Sequence, residues 1–219
     1  GILLYVIITH VLWFFGVHGT NTLEAVSRRL FEPNVSVNQS LLLAGQVPTE
    51  IFSKTFLDTF AFLGGCGCAL SFIIALCIAS RRSPNRKIAY VALPSAFFNI
   101  SEIAVFGFPI IYNFTMAIPF ILTPVVLTLI SYIATASGLV PVVTQSVDWT
   151  VPILFSGYKA TGSISGSILQ LINLVVGICI YIPFIRRSEQ KETAEFQQIV
   201  RQMEQDMEAG ESSGNLPLF

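Results

Sequence analysis

The residue best placed to do chemistry is Glu102. It is the only acidic residue between Asp58 and Asp148, and the sequence around it is apolar. A carboxylate at membrane depth is costly and marks a functional position by default. Such a group can take the proton of a hydroxyl or bind two hydroxyls at once. The competing assignment is structural: a carboxylate held by the amides of its own segment, or one resting at the interface. His18 is the second candidate. It lies in Gly16-Val17-His18-Gly19-Thr20-Asn21. Flanking glycines permit a sharp bend and close approach, and imidazole can donate to a hydroxyl or shuttle its proton. The alternative for His18 is an ordinary helix-end histidine facing headgroups. His10 falls on roughly the same helical face and reads as a histidine satisfied between helices. Asp148-Trp149-Thr150-Val151-Pro152 carries a Trp with two open readings. It is a membrane-interface anchor, or its face is a stacking platform for a sugar ring.

These residues need a scaffold, and composition limits what it can be. The chain has 219 residues, 53% apolar and 11% charged, against roughly a quarter charged in an ordinary soluble domain. Residues 1–185 hold 8 Lys/Arg and 6 Asp/Glu, whereas the last 34 hold 4 and 7. So sparse a charge cannot clothe a water-facing surface, which excludes a soluble enzyme. A net charge of −1 with no basic stripe excludes nucleic acid as a partner. The fold class expected is an all-α polytopic membrane protein, embedded in lipid, with a short soluble tail. Cys66, Cys68, Cys77 and Cys179 read as small apolar residues, because Cys-Gly-Cys without an accompanying His or second pair is a poor metal site. No cofactor or metal is expected. The chain starts at Gly1 inside an apolar run and ends at Leu216-Pro217-Leu218-Phe219, which reads as an internal piece of a longer protein.

Hydropathy gives four candidate spans: Gly1–Val17, Phe62–Ala79, Ala117–Ala136 and Ile164–Ile185. The second is rich in small residues that suit close helix packing. The fourth carries Gln170 and Asn173. Arg81, Arg82, Arg86 and Lys87 follow the second span, and Arg186, Arg187 and Lys191 follow the fourth. Both clusters are expected on the cytoplasmic side. Ile88–Met116 must then begin and end on that side. Its 29 residues are broken by Pro94, Asn99, Ser101, Glu102, Pro109 and Asn113, while two crossings need roughly 40 apolar residues. The expectation is a re-entrant hairpin. Irregular backbone at such depth survives only where protein or a water-filled cavity satisfies it, and broken half-helices are how many transporters build substrate sites. Residues 20–61 read as an outer connection, with room for a second re-entrant or interfacial element.

Taken in order, Gly16–Asn21, the run Asn99-Ile100-Ser101-Glu102-Ile103-Ala104-Val105-Phe106-Gly107-Phe108-Pro109-Ile110, and Asp148–Pro152 with Ser156-Gly157 form a pattern. The chain resembles enzyme IIC, the membrane subunit of the bacterial phosphotransferase system, in its lactose/cellobiose/chitobiose branch. The resemblance covers residues 1–187, the C-terminal, substrate-binding half of the family's domain. It implies a permease that binds a disaccharide at mid-membrane and presents its 6-hydroxyl to a phosphocysteine of phosphorylated enzyme IIB. With enzyme IIB it would act as a sugar phosphotransferase. It implies a multi-pass protein of the bacterial inner membrane, its C-terminal tail cytoplasmic, and a homodimer formed through the family's N-terminal half. The family's essential Glu maps onto Glu102 and its His onto His18, as catalytic residues. Asn21, Asn99 and Trp149 fall at substrate-binding positions. The sequence departs from the family pattern where Ile103 replaces the Pro after the Glu and Asp148 replaces the Pro before the Trp.

Residues 188–209 read as an amphipathic cytoplasmic helix, with Phe196, Val200, Met203 and Met207 at helical spacing. Residues 210–219 read as a flexible tail or linker. Those features motivate an alternative, a non-transporting sugar sensor signalling through the 189–209 helix.

Overall fold

Three stretches are long and apolar enough to cross a membrane: Lys54–Ala79, Phe114–Ala136 and Ile164–Met207. They contain the second, third and fourth expected spans. The computed structural model describes residues 1–108 and 110–212, with side chains to Met207, and all its regular structure is helical. The tail reading for 213–219 lies outside the described residues.

Helix α1, Ile2–Phe14, lies within the first expected span and is apolar throughout its 13 residues except for Thr9 and His10. The chain turns at Gly16 (φ +78) and comes back through α2, Gly19–Thr22, and α3, Glu24–Leu30. Gly19 packs so closely on α1 that a Cβ there would sit 1.9 Å from the Thr9 carbonyl oxygen. Helix α4, Pro33–Leu43, follows. Its Asn38 is buried and donates to the Glu50 and Val143 carbonyls at 2.7 and 2.9 Å. The 20–61 connection therefore sits against the end where α1 begins: Ile2, Tyr5 and Val6 share a core with Phe31, Val35, Val140, Val143 and Leu169.

The second span is long enough to cross but is not continuous. Helix α5, Lys54–Phe56, runs into a π-helical turn, Leu57–Ala61. The backbone then leaves helical geometry through Gly64 (φ +81) and Gly65 (φ +95). A 3₁₀ turn, Cys66–Cys68, leads into α6, Ala69–Ala79. A π turn frees carbonyls from their usual donors, and inside a membrane each must find another. Gln170 Nε2 donates to the Thr59 carbonyl at 2.7 Å, and Asn173 Nδ2 to that of Phe60 at 3.0 Å. The Tyr181 hydroxyl donates to the Gly67 carbonyl. All three side chains come from α11, Ile164–Ser212. The polar residues of the fourth span are thus the satisfiers of the broken second span.

The expected hairpin is present. Helix α7, Ser83–Phe97, enters, and α8, Glu102–Gly107, returns. Gly107 abuts Ile88, to which a Cβ would come within 3.0 Å, so the two helices run antiparallel. Both basic clusters lie at one end of the bundle. Glu189 accepts hydrogen bonds from the Ser80 hydroxyl, the Arg81 N–H (3.0 Å) and Asn85 Nδ2 (2.7 Å). Arg82 pairs with Glu192. Residues Ile111–Thr115, which lead out of the hairpin, share a cleft with Ser188, Lys191 and Glu192. The hairpin therefore begins and ends at the basic end, as the span-parity argument requires. Helix α9, Phe114–Ala136, crosses next. A long loop and α10, Phe155–Thr161, then lead into α11. Helix α11 runs unbroken past residue 187 to Ser212, so the 188–209 segment continues the last span.

Two outcomes follow from this scaffold. A Cβ at Gly64 would lie 2.2 Å from the Leu70 nitrogen, a backbone atom that cannot move aside, whereas one at Gly162 (φ +68) meets nothing within 4 Å. Gly162→Ala should lower stability by about 1 kcal/mol through the left-handed backbone alone. Gly64→Ala should lose most folded protein; comparable monodisperse yields in detergent for the two variants would refute this account. Glu189 supplies the second. Burial opposes its ionisation, but the Ser80 hydroxyl, the Arg81 and Arg82 amides and Asn85 outweigh this and hold the carboxyl below its ordinary value. Its contribution is then complete above the usual carboxylate pKa, about 4.3, and is lost as pH falls through the depressed folded value. Melting temperatures recorded on acidification should fall in that window, and Glu189→Gln should flatten the fall.

Candidate functional site

The three breaks in helical structure converge. The turn after α1 delivers His18, the gap in the second span delivers Gly65 and Cys66, and the hairpin tip delivers Asn99, Ser101 and Glu102. Together with Thr20, Asn21, Glu24, Lys54, Asp58, Phe62 and Trp149 they line one cavity of about 390 Å³, within the range of small-molecule sites. All five residues singled out from sequence, His18, Asn21, Asn99, Glu102 and Trp149, border it.

His18 and Glu102 meet directly, with His18 Nε2 3.2 Å from Glu102 Oε1. The tautomer follows from the other ring nitrogen. His18 is the N-cap of α2, and its Nδ1 accepts the Asn21 backbone N–H at 3.3 Å. An accepting Nδ1 carries no proton, so the neutral ring holds its hydrogen on Nε2 and donates to Glu102. The Thr20 hydroxyl, 3.1 Å from Nδ1, reinforces this. Trp13, 1% exposed, backs the imidazole with ring centroids 4.4 Å apart. Glu102 sits in the first turn of α8, where the helix dipole favours a carboxylate. Its side chain is 43% exposed, so the carboxylate faces the cavity with capacity left for a hydroxyl. Ile103, beside it, is in the first turn too, where backbone N–H groups have no intrahelical acceptor. Ile103 therefore adds an N–H that Pro would lack, and no helical ladder bond depends on the difference.

Asn99 occupies the hairpin tip in the left-handed region (φ +62), which Asn tolerates better than most residues. Its carboxamide is engaged with main chain. Oδ1 accepts the Gly64 N–H at 2.8 Å, and Nδ2 donates to the carbonyls of Trp149 (2.6 Å) and Val151 (3.2 Å). One side chain thus ties the hairpin tip, the gap in the second span and the 148–151 loop together. Gly65 completes the seat: a Cβ there would lie 2.7 Å from the Asn99 carbonyl oxygen. Trp149 is 52% exposed, and its backbone is fixed by Asn99. Asp148 closes a local turn, its Oδ1 accepting the Thr150 N–H and hydroxyl. Those two bonds hold the Asp148 carboxyl below its ordinary value. The Asn21 side chain makes no hydrogen bond among the described residues and lines the cavity.

The sequence reading missed several wall residues. Lys54 and Asp58 form an ion pair on the cavity wall, and Glu24 and Cys66 also line it. For Glu24, Lys54 and Asp58 the only advance signal was charge inside the 20–61 connection; Cys66 gave none. His10 differs from its expected role: Nδ1 donates to the Val6 carbonyl of its own helix at 2.7 Å, between the edges of Phe62 and Phe120. It bonds to no other helix. Cys66 and Cys68 are buried as expected, whereas Cys179 is exposed.

The sequence profile of the family described as "Phosphotransferase system, EIIC" matches residues 1–124. The chain belongs to the EIIC family. Curated relatives agree. The oligo-beta-mannoside-specific EIIC component of the Bacillus subtilis phosphotransferase system is 34% identical over 186 residues, 84% of this chain and 42% of the relative. The cellobiose-specific EIIC component of Geobacillus stearothermophilus is 34% identical over 202 residues, 90% of this chain and 45% of the relative. Among solved structures, the crystal structure of the transporter ChbC, the IIC component from the N,N'-diacetylchitobiose-specific phosphotransferase system, is 36% identical. It superposes with a TM-score of 0.85, covering 90% of this chain and 46% of ChbC. The chain thus spans less than half the length of these EIIC relatives.

The strut role of Asn99 in this EIIC chain is testable. Asn99→Asp keeps the shape but replaces both donors with a carboxylate oxygen facing the Trp149 and Val151 carbonyls. Losing two hydrogen bonds at a half-buried position costs roughly 1 kcal/mol each. The melting temperature in detergent should drop clearly. An unchanged value would show that the carboxamide does not hold the three segments together.

Proposed function

We propose that the chain is the substrate-binding half of a sugar permease of the cellobiose/lactose type in the bacterial inner membrane. Its cargo is a β-linked disaccharide, and phosphorylated enzyme IIB is its partner. The basic end carrying Arg81, Arg82, Arg86 and Lys87 faces the cytoplasm by the positive-inside rule, which puts the continuation of α11 on the same side. A homodimer would form through the family's N-terminal half. The relatives matched are permease components, and they give the sensor alternative no support.

The single observation that carries this reading is the His18–Glu102 contact at 3.2 Å on a cavity wall. The Nε2–H of neutral His18 holds Oε1, leaving the second carboxylate oxygen for the sugar 6-hydroxyl. As the hydroxyl oxygen bonds to phosphorus of the phosphocysteine, the phosphorus–sulfur bond breaks and the thiolate leaves. The hydroxyl proton passes to Glu102. General-base help of this kind contributes typically 10²–10⁴-fold. Asn21 supplies an amide to the sugar and Trp149 a stacking face. Asn99 acts at the substrate site by shaping it, since its own amide is occupied.

Sugar-phosphate formation by the full-length protein in vesicles, with enzyme IIB and a phosphoryl donor, tests this. Glu102→Gln should lower the rate at least 100-fold while sugar still binds. Normal phosphorylation by this variant would sink the assignment.

A further inference from the structure

Trp13 is fully buried, yet its indole Nε1–H finds no acceptor among the described residues. A buried donor left unpaired costs free energy, and a position that needed only apolar bulk would be filled more favourably by Phe. The shape of the indole is therefore in use, and its neighbours indicate for what. Helix α1 closes with the Gly16 N–H donating to the Trp13 carbonyl and the Val17 N–H to that of Leu12, both at 2.9 Å. With Gly16 in the left-handed region, this is a common way to end a helix on glycine. It folds the chain back so that His18 lies against the Trp13 ring, with planes 49° apart. The same indole meets Phe106, with ring centroids 6.0 Å apart. Phe106 is four residues after Glu102, hence on the same face of α8. One rigid ring thus touches both segments that supply His18 and Glu102.

We infer that Trp13 is a positioning residue: it fixes the plane of His18 and the spacing between His18 and α8, so that Nε2–H stays aimed at Glu102 Oε1. This rests on the proton-transfer role proposed for Glu102 above. The imidazole needs such a support. Its hydrogen bonds to the Thr20 hydroxyl and the Asn21 N–H are 3.1 and 3.3 Å long and both fall on Nδ1. They restrain one nitrogen and leave the ring free to tilt about it, because acceptor geometry is broad. The side of His18 that faces the cavity is open and gives no packing. An aromatic wall behind the ring removes the tilt, and its second contact, with Phe106, ties that wall to the helix carrying the carboxylate. Trp13 is not among the residues lining the cavity, so it acts on the sugar only through the pair. Loss of aim at a proton-transfer site lowers the rate steeply and leaves sugar affinity to the residues that touch the sugar.

The test separates rate from binding. The full-length protein is assayed in vesicles with phosphorylated enzyme IIB and cellobiose for kcat, and for cellobiose Kd without enzyme IIB. Trp13→Leu fills much of the volume without a ring, and should lower kcat roughly tenfold or more with Kd largely unchanged. Trp13→Phe keeps a flat ring and should lose less. Phe106→Ala, at a position 62% exposed, should lower kcat in the same way, and it keeps the inference falsifiable should Trp13→Leu not fold. A double-mutant cycle supplies the decisive readout. Trp13→Leu added to Glu102→Gln should cost nothing further, because it acts through the pair, whereas a general structural defect would multiply the two losses. Multiplied losses, equal losses in Trp13→Leu and Trp13→Phe, an undiminished kcat in Phe106→Ala, or sugar affinity falling in step with kcat would overturn the positioning role alone. Normal turnover by Glu102→Gln would overturn the proton-transfer reading, and the role of Trp13 with it.

Discussion

The site depends on the bond between Asn99 Oδ1 and the Gly64 N–H, 2.8 Å long. It joins two pieces of backbone that have both left helical geometry. Backbone amides and carbonyls shielded from water cost free energy when unpaired, and here each break supplies partners to the other. The glycines let the tip approach within contact distance, and the Asn side chain supplies the acceptor and donors that the missing helical ladder would have supplied. Glu102, three residues after Asn99, inherits its position from this seam.

The same constraint explains why the fourth span is not uniformly apolar. Gln170 is 0% exposed yet fully engaged: its Nε2 reaches the Thr59 carbonyl and the Ser156 hydroxyl, and its Oε1 takes the Leu154 and Gly157 amides. Asn173 Nδ2 bridges the Phe60 carbonyl and Ser131, while its Oδ1 is buried with no hydrogen-bond partner among the described residues. These side chains restore to the π-helical turn the partners that its geometry removes. Polar groups buried in this way are high-stakes, because each one left without a partner costs free energy in a low-dielectric interior. The distortion that orients Asp58 toward the cavity is therefore held by residues on a different helix, far along the chain.

Much of this was legible in the sequence because membranes make polarity conspicuous. Glu102, His18 and Trp149 stood out against apolar neighbours and do border one cavity. The hairpin followed from counting crossings between basic clusters. Other features stayed hidden for physical reasons. Hydropathy averages side chains and is blind to backbone, so Gly64, Gly65 and Gly67 read as a smooth packing surface rather than a break. The apolar run Gly1–Val17 hid where its helix ends, because apolar residues continue past Phe14 although the chain bends at Gly16. Asn99 was recognisable as special, but residue type alone does not say whether an amide faces a ligand or its own backbone. Lys54 and Asp58 were assigned to the outer connection because charge there is ordinary, and only the fold turns that stretch inward.

The hairpin is fixed at both ends, and this bears on how Glu102 can be presented to a partner. At the tip, Asn99 ties it to the second span and the 148–151 loop. At the base, Glu189 of α11 takes the Ser80 hydroxyl, the Arg81 N–H and the Asn85 amide, and Asn85 is already within α7. An element 15 residues long clamped at both termini cannot tilt without breaking one set of bonds. Because α11 is a single helix from Ile164 to Ser212, the residues that clamp the base and those that satisfy the broken span, Gln170 and Asn173, belong to one rod. Motion of that rod would act on the hairpin and on the gap in the second span together. Rigidity at this level fixes where the Glu102 carboxylate sits, the condition that the proposed proton transfer requires.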